Sequence, residues 1–501
     1  MKAKAIHVCG TGSGVGKSVL VSALCRIFMQ DGFRVAPFKS QNMALNSYVT
    51  ADGGEMARAQ VTQAQACGIE PTVDMNPILI KPSSDMGAQI IVMGKPIGNM
   101  NVSDYVKYKR NGIGIAKRSL DKLLSEYEIV VMEGAGSPAE INLKKHDIVN
   151  MKMAAYAKAP VILVGDIDKG GVFAWIIGTL ELLTKDERRM VKGVIINKFR
   201  GDITLLKPGI KFLEKYTGIK VLGVIPYFKD INIPEEDAVP AGSNERSPDR
   251  KRKINISVIY LPHISNFNDF DALEREDDVA LKYAKRPSDL AGSDIIIIPG
   301  TKNTISDLAY LKKSGFDKKI ASIIKSNKKV MLIGVCGGYQ ILGNKIRDLR
   351  NIESNVKEAL GLGLLPVETT LGKEKILRRV KAKSLFLSAG VSGYEIHHGI
   401  TKPTKEIKWA FEIFQSNGKP KKYFDGVISK DKRIFGTYIH GLFESVSFRI
   451  NLLNVVRKSK GLQVLPQDET FDLNEEFDKL AKLTRENLDI KSLYQILRGK
   501  L

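Results

Sequence analysis

The chain has 501 residues, 43% hydrophobic and 26% charged, a composition that excludes a disordered or fibrous protein and, at this length, calls for two or three domains. Lys and Arg outnumber Asp and Glu by 77 to 55, a net charge of +22, yet the cations are scattered, few aromatics stand beside them and no nucleic-acid-binding motif appears. They read as a solvated basic surface, or as a field that draws in polyanionic small molecules, and no nucleic-acid partner is expected. No apolar run approaches the roughly 20 residues that cross a bilayer, and Met1 leads into a strand and a glycine loop with no signal-peptide pattern, so the expectation is a cytoplasmic protein without a membrane partner.

In chain order, the first predicted strand, Lys4 to Cys9, runs into GTGSGVGKS (Gly10 to Ser18) and then the helical pattern VLVSALCRIF. Strand, glycine loop, Lys-Ser and helix are the parts of a phosphate cradle for ATP. Backbone N–H groups over Gly12, Gly14, Val15 and Gly16 wrap the phosphates, Lys17 reaches the terminal ones, and Ser18 is a Mg²⁺ ligand. Thr11 stands where the common pattern has glycine, and this spelling resembles dethiobiotin synthetase and its relatives, which phosphorylate a carboxylate.

A second predicted strand ends at Lys39 and opens a polar loop with Gln41, Asn42, Asn46 and Ser47, dense enough in hydrogen-bonding side chains to line a ligand site. Lys39, Gln41 and Asn42 are candidates for substrate binding or phosphoryl transfer. Asp52, farther along the same stretch, is a candidate carboxylate for Mg²⁺, which takes hard oxygen ligands. The strand IVVME ends at Glu133, where α/β sheets present ligands, and supplies a second carboxylate for the metal. The strand VILVGD ends at Asp166, with Asp168 two places on; Asp166 joins the phosphoryl-transfer candidates, although a helix cap would use such an acid too. GVIINKFRG ends at Asn197 and Lys198, a position and composition that resemble the base-reading loop of related nucleotide-binding folds, which implies nucleotide binding by Asn197.

Strands alternating with helices through Pro226 predict a mostly parallel, doubly wound sheet over residues 1–234. From Glu235 to Lys253 periodicity gives way to Pro, Ser and charge, an interdomain linker. A second α/β pattern, 254–450, contains VMLIGVCGGYQILG, Val330 to Gly343. A buried strand, a sharp turn at Cys336 and a helix make a nucleophile elbow. Of the six histidines, His440 stands at the end of a later strand and is the best-placed base, with His397 and His398 next. The N–H of Gly337, with one from the Gly300-Thr301 turn, is a candidate oxyanion hole. Residues 451–501 read as a helical extension. Cys9, Cys25, Cys67 and Cys336 show no metal or disulfide spacing, which fits a reducing compartment, and Cys9, at a strand end, and Cys25, in a helical pattern, read as core residues.

PFKSQNMALNSYVTADGGEMARAQ, EGAGSPAEINL, GDIDKGGVFA, PGTKNTISDL, GVCGGYQILG, GYEIHHG and YIHGLF together resemble the cobyric acid synthase family over nearly the whole chain. The resemblance implies a P-loop, dethiobiotin-synthetase-like ATPase domain followed by a flavodoxin-like, class I-like glutamine amidotransferase domain. It implies amidation of the b, d, e and g carboxylates of adenosylcobyrinic acid a,c-diamide in cobalamin biosynthesis, with ATP, Mg²⁺ and glutamine, and it allows a homo-oligomer. Carried over to this chain, Cys336 and His440 are the glutaminase positions. Many members of the wider glutaminase class have Glu two places after the histidine, where Leu442 stands here; Glu395 and Glu444 are candidates to orient His440 instead. The related a,c-diamide synthase shares both domains, and the QNMALNS segment favours the cobyric acid synthase reading. A chromosome-partitioning P-loop ATPase would account for the loop and the charge but not for the carboxyl-terminal half.

Overall fold

A computed structural model describes residues 3–82, 87–234, 252–467 and 471–500. The expected linker, 235–253, lies outside these apart from its last two residues. The chain forms two compact units. The first comprises Met1–Ala44, Gly54–Asp237 and Phe471–Leu501, and the second Leu45–Gly53 and Ala238–Thr470.

The first unit is built on six parallel strands in the order Val221–Pro226, Val191–Phe199, Val161–Asp166, Lys4–Gly10, Ile129–Glu133, Val35–Phe38. Helices cover both faces, so the central strands are apolar nearly throughout: Ile6, Val8, Val131, Ile162 and Val164 are fully buried. The chain moves from the first strand to one side of the sheet, returns, and continues on the other side. That reversal opens a crevice at the carboxyl end of Lys4–Gly10, where doubly wound sheets bind ligands. The phosphate loop follows this strand, and Lys39, Glu133, Asp166 and Asn197 lie at or next to the carboxyl ends of the others. A smaller sheet of Gln41–Met43, Ile78–Pro82, Gly87–Val92 and Lys95–Asn101 extends the unit. Within it Lys81 and Glu55 form a buried ion pair at 3.0 Å.

The second unit carries a larger mixed sheet. Its parallel half runs Val279–Ala284, Ile254–Ile259, Ile295–Ile298, Met331–Val335, Ile434–Thr437. Its other half holds the long antiparallel strands Val367–Ser384, Gly390–Pro403, Lys408–Ser416 and Lys419–Ile428. The short strand Ile439–His440 pairs with Gly390–Pro403, setting His440 opposite Tyr394. Isoleucines 295 to 298 are completely buried, as a strand covered on both faces requires.

Two segments join the unit from which they are distant in sequence. Residues Leu473–Asn487 and Ile490–Leu497 are helices, as their spacing predicts, but they bury Phe477, Leu480, Leu493 and Ile496 in the first unit's core, against the helix Lys17–Gln30 and its neighbours. Arg26 secures them with a 2.7 Å ion pair to Asp478. The helix before them, Val446–Ser459, belongs to the second unit, where fully buried Arg457 forms a forked pair with Asp278, both contacts at 2.8 Å. Leu45–Gly53 is tied into the second unit by exchanged Asn contacts: the Ser47 N–H donates to Asn266 and the Phe267 N–H donates to Asn46, each at 3.1 Å. Val49 completes the tie by packing on Tyr394 and Ile396.

Phe477→Ala is expected to destabilise the first unit by about 3–5 kcal/mol, the cost of emptying a buried aromatic site. A calorimetric scan would show the transition accompanying loss of nucleotide binding moving down in temperature. An unmoved transition would mean that these terminal helices contribute nothing to that core.

Candidate functional site

The first unit's site forms where the helix Lys17–Gln30 meets the glycine loop. Gly16 has a left-handed φ of +93°, and a Cβ there would come 2.2 Å from the Asn197 amide nitrogen, so glycine is required twice over. Asn197 donates to the Val15 carbonyl at 2.9 Å and Lys198 to the Gly14 carbonyl at 2.6 Å. Asn197, expected at a base-reading position, thus braces the phosphate loop from beneath. Lys17 Nζ donates to the Gly12 carbonyl at 2.9 Å and to the Gly136 carbonyl at 3.3 Å, which curls the lysine over the loop.

Glu133 gathers the rest. Its carboxylate accepts from Ser18 Oγ and from Lys39 Nζ, both at 2.9 Å, and from the Gln63 side chain. Burial alone would raise its pKa, but Lys39 first, then Gln63 and Lys17, outweigh that penalty and hold the carboxyl below its usual range. Gln60 approaches the same carboxylate and accepts from Asn42 at 2.9 Å. Asp166 is buried, accepting from Lys198 Nζ at 3.0 Å and from the Asp168 N–H at 2.9 Å. Ser18 Oγ and Glu133 Oε1 form a pair of hard oxygens beside the phosphate loop, a donor set that suits Mg²⁺, which fills its remaining positions with water and phosphate. Asp52, the other carboxylate expected for the metal, belongs to a different unit. It lies in the second unit, engaged by Thr50 Oγ1, because the segment Leu45–Gly53 has left the first unit. Gln41 starts the short strand Gln41–Met43 of the first unit's smaller sheet.

In the second unit, Met331–Val335 delivers Cys336 to a turn with φ +53° and ψ −109°, a conformation disfavoured for any residue with a side chain and held here by the elbow. The helix Gly337–Leu342 follows at once. A Cβ on Gly338 would stand 2.0 Å from the Ile298 carbonyl oxygen, so only glycine lets the elbow lie this close to the neighbouring strand. Cys336, His440 and the Gly300-Thr301 turn converge: a Cβ built on Gly300 would be 3.2 Å from His440 Cε1 and 3.7 Å from Cys336 Cβ. One built on Gly337 would be 3.2 Å from the Thr301 nitrogen, so the elbow packs directly against the Gly300-Thr301 turn.

The acid beside His440 is one that motif reading does not find. Asp269 Oδ2 lies 2.6 Å from His440 Nδ1, and its other oxygen accepts the Gly441 N–H at 2.9 Å. Glu395, one of the candidates for this role, instead accepts from the Tyr423 hydroxyl at 2.7 Å, with Arg378 3.9 Å away. Glu444, the other, lies in the one-turn stretch Leu442–Glu444. Asp269 is 171 residues from His440, in NFNDF, and only the fold joins them. Burial would lower the His440 pKa, but Asp269, and then Cys336, more than reverse this and raise it to about 10. Tyr394 stacks on the imidazole, with ring centroids 5.5 Å apart and planes at 15°. His397 is different: burial takes its pKa down to about 3, and its ring lies on Tyr438 with Nδ1 at the Gly399 carbonyl. It is a neutral packing residue.

Asp269→Asn is expected to lower glutamine hydrolysis roughly a thousandfold, since the amide no longer fixes the tautomer or charge of His440, while the KM for glutamine changes little. The pH dependence of stability checks the pair independently. With a folded pKa raised above 6.5, His440 contributes stability that is complete below about pH 6.5 and lost as the pH rises through about 10. Denaturant titrations of Asp269→Asn should lack that decline.

The two halves of the chain each match a known domain family: a CobQ/CobB/MinD/ParA nucleotide binding domain over residues 6–240, and a CobB/CobQ-like glutamine amidotransferase domain over residues 255–448. Cobyric acid synthase of Clostridium botulinum (strain Kyoto / Type A2) is 50% identical over 498 residues, covering 99% of each chain. Cobyric acid synthase of Clostridium novyi (strain NT) is 49% identical over 500 residues, covering 99% of this chain and 98% of its own. That of Thermoanaerobacter sp. (strain X514) is 49% identical over 507 residues, covering 98% of both. A nucleotide-binding unit with a phosphate loop, an amidotransferase unit with a cysteine elbow, and near-complete overlap with these relatives mean that the chain belongs to the cobyric acid synthase family of glutamine-dependent amidotransferase ligases.

Proposed function

We propose that this chain amidates the b, d, e and g carboxylates of adenosylcobyrinic acid a,c-diamide, giving adenosylcobyric acid, with one ATP and one glutamine consumed for each amide. The observation that supports this reading is that one chain gathers Lys17, Ser18 and Glu133 at its glycine loop and Cys336, His440 and Asp269 at its elbow, in a sequence that overlaps cobyric acid synthases from end to end. A carboxylate is a poor acceptor of ammonia, because its leaving group would be oxide. Transfer of the γ-phosphoryl group of ATP to a carboxylate oxygen makes an acyl phosphate, whose leaving group is phosphate. The loop amides and Lys17 would stabilise the charge that shifts during transfer. Ser18 and Glu133 would hold Mg²⁺, which supplies charge neutralisation at the phosphate oxygens. Lys39, already on Glu133, would stand between that carboxylate and the incoming acid.

In the second unit, Cys336 would pass its thiol proton to His440 and attack the side-chain amide carbon of glutamine as the thiolate. The oxyanion would sit between the N–H groups of Gly337 and of the Gly300-Thr301 turn. His440, held protonated by Asp269 to about pH 10, would pass its proton to the departing nitrogen, so that ammonia leaves and a thioester remains. Neutral His440 would then take a proton from water as it attacks the thioester, releasing glutamate and restoring Cys336. Ammonia displaces phosphate from the activated corrinoid. A DNA-partitioning ATPase would leave the second unit without a role, and the a,c-diamide synthase reading is disfavoured by relatives that are cobyric acid synthases across both units.

Cys336→Ala should abolish amidation driven by glutamine and preserve amidation driven by added ammonium at pH 8–9. Lys17→Ala should abolish both by at least a hundredfold and leave glutamate release intact. Product masses and glutamate assays read these outcomes, and equal failure of both nitrogen sources in Cys336→Ala would contradict the division of labour.

A further inference from the structure

The second unit holds a cavity of about 530 Å³, lined largely by charged and polar side chains, that the reaction described above does not use. Its walls come from two places: Asp52, on the segment Leu45–Gly53, and the antiparallel half of the sheet, which contributes Arg378, Ser416, Asn417, Lys419 and Lys421. Three cations and one carboxylate therefore face one space.

The cavity is built on rigid supports. Asn417 and Gly418 form the tight turn between Lys408–Ser416 and Lys419–Ile428, both with positive φ. Asn417 exchanges two 2.8 Å hydrogen bonds with the Arg379 backbone: its side chain accepts from the Arg379 N–H, and its own N–H donates to the Arg379 carbonyl. Arg378 pairs in register with Glu395, and the next residue, Tyr394, is the one stacked on His440. Successive side chains of a strand point to opposite faces, so Glu395, the partner of Arg378, and Tyr394, the partner of His440, face away from each other.

The size lies within the roughly 300–1,000 Å³ range of pockets for drug-sized ligands and is generous for a single glutamine. The cations call for an anion. A nucleotide is disfavoured, because no glycine-rich backbone cradle or helix start lines this space, whereas the first unit has both. Side-chain cations around a wide cavity suit several carboxylates spread over a large molecule, and Asp52, with the Asn417 side chain, offers acceptors for amide N–H groups.

We propose that this cavity binds the rim of the polycarboxylate corrinoid, with Arg378, Lys419 and Lys421 taking unreacted carboxylates and Asp52 taking an amide already present. The assignment rests on the reaction proposed above for the identity of the substrate. It gives the basic pocket a sorting role: each amidation removes a charge that the cations hold, so the finished product binds more weakly than the diamide.

Because corrinoids are coloured, equilibrium dialysis reads binding without turnover. The Kd of the full-length Lys419→Ala/Lys421→Ala protein for the a,c-diamide should rise roughly tenfold at low salt, with a shallower dependence on ionic strength. The Kd for ATP should hold, the thermal transition should stay in place, and Lys419→Arg/Lys421→Arg should restore affinity. Asp52→Asn should narrow the preference for the diamide over the parent acid without amides. An unchanged corrinoid Kd, or an equal rise in the Kd for ATP, overturns the assignment. If the unmodified protein binds the diamide in this lysine-dependent way but forms no amide from it, the proposed reaction fails and the cavity assignment stands.

Discussion

A carboxylate taken out of water stays ionised only if cations or hydrogen-bond donors surround it, and each unit of this protein sets its reactive groups around one such carboxylate. In the first unit it is Glu133, which collects Ser18, Lys39 and Gln63 at the mouth of the phosphate loop. In the second it is Asp269, which fixes His440 and the backbone of Gly441. Neither acid need touch substrate to matter. Each decides which neighbouring groups are charged and where they point, so removing the acid undoes the arrangement more thoroughly than removing any one partner.

The same demand explains how the two chemistries differ while sharing a chain. Around Glu133 one donor, Lys39, is a cation and the others, Ser18 and Gln63, are neutral; with Lys17 on the adjoining loop they suit phosphate, a charge that arrives from outside. Around Asp269 the single strong partner is an imidazole, raised to a pKa of about 10, so the charge is a proton kept in place until a leaving group needs it. Phosphoryl transfer asks for fixed positive charge, and amide cleavage asks for a proton delivered to one atom. A parallel sheet provides each with strand ends to stand on. The elbow at Cys336 adds a strained backbone that holds the sulfur toward His440 and the Gly300-Thr301 turn.

Much of this is legible in the chain itself. A phosphate loop is local, so GTGSGVGKS and its flanking periodicities carry most of their own geometry; the same holds for the strand, turn and glycines around Cys336. The parallel sheets announce themselves by runs such as IIII, apolar on both faces. Asp269 is hidden because nothing in NFNDF distinguishes an acid that meets a distant histidine from one that caps a turn. Its role exists only through contact across 171 positions. Asp52 shows the opposite difficulty: its neighbours in sequence belong to the phosphate unit, but Asn46, Ser47 and Val49 find their partners in the second unit and take it with them. The terminal helices likewise have a visible apolar face, but the pattern that predicts burial does not say which core receives it. The long antiparallel strands from Val367 to Ile428 are mixed in polarity, with many exposed positions, and weak alternation gives them little signature.

The proposed activation of a corrinoid carboxylate by ATP is the step that would make it reactive toward the ammonia released in the second unit, and oxygen labelling tests it most directly. With both oxygens of the reacting carboxylates of the a,c-diamide carrying ¹⁸O, each amide formed should deliver one ¹⁸O to inorganic phosphate, because the bridging oxygen of an acyl phosphate leaves with the phosphoryl group. Phosphate free of label, at full conversion to the amide, would contradict an acyl phosphate and with it the role given to the Lys17 and Glu133 site.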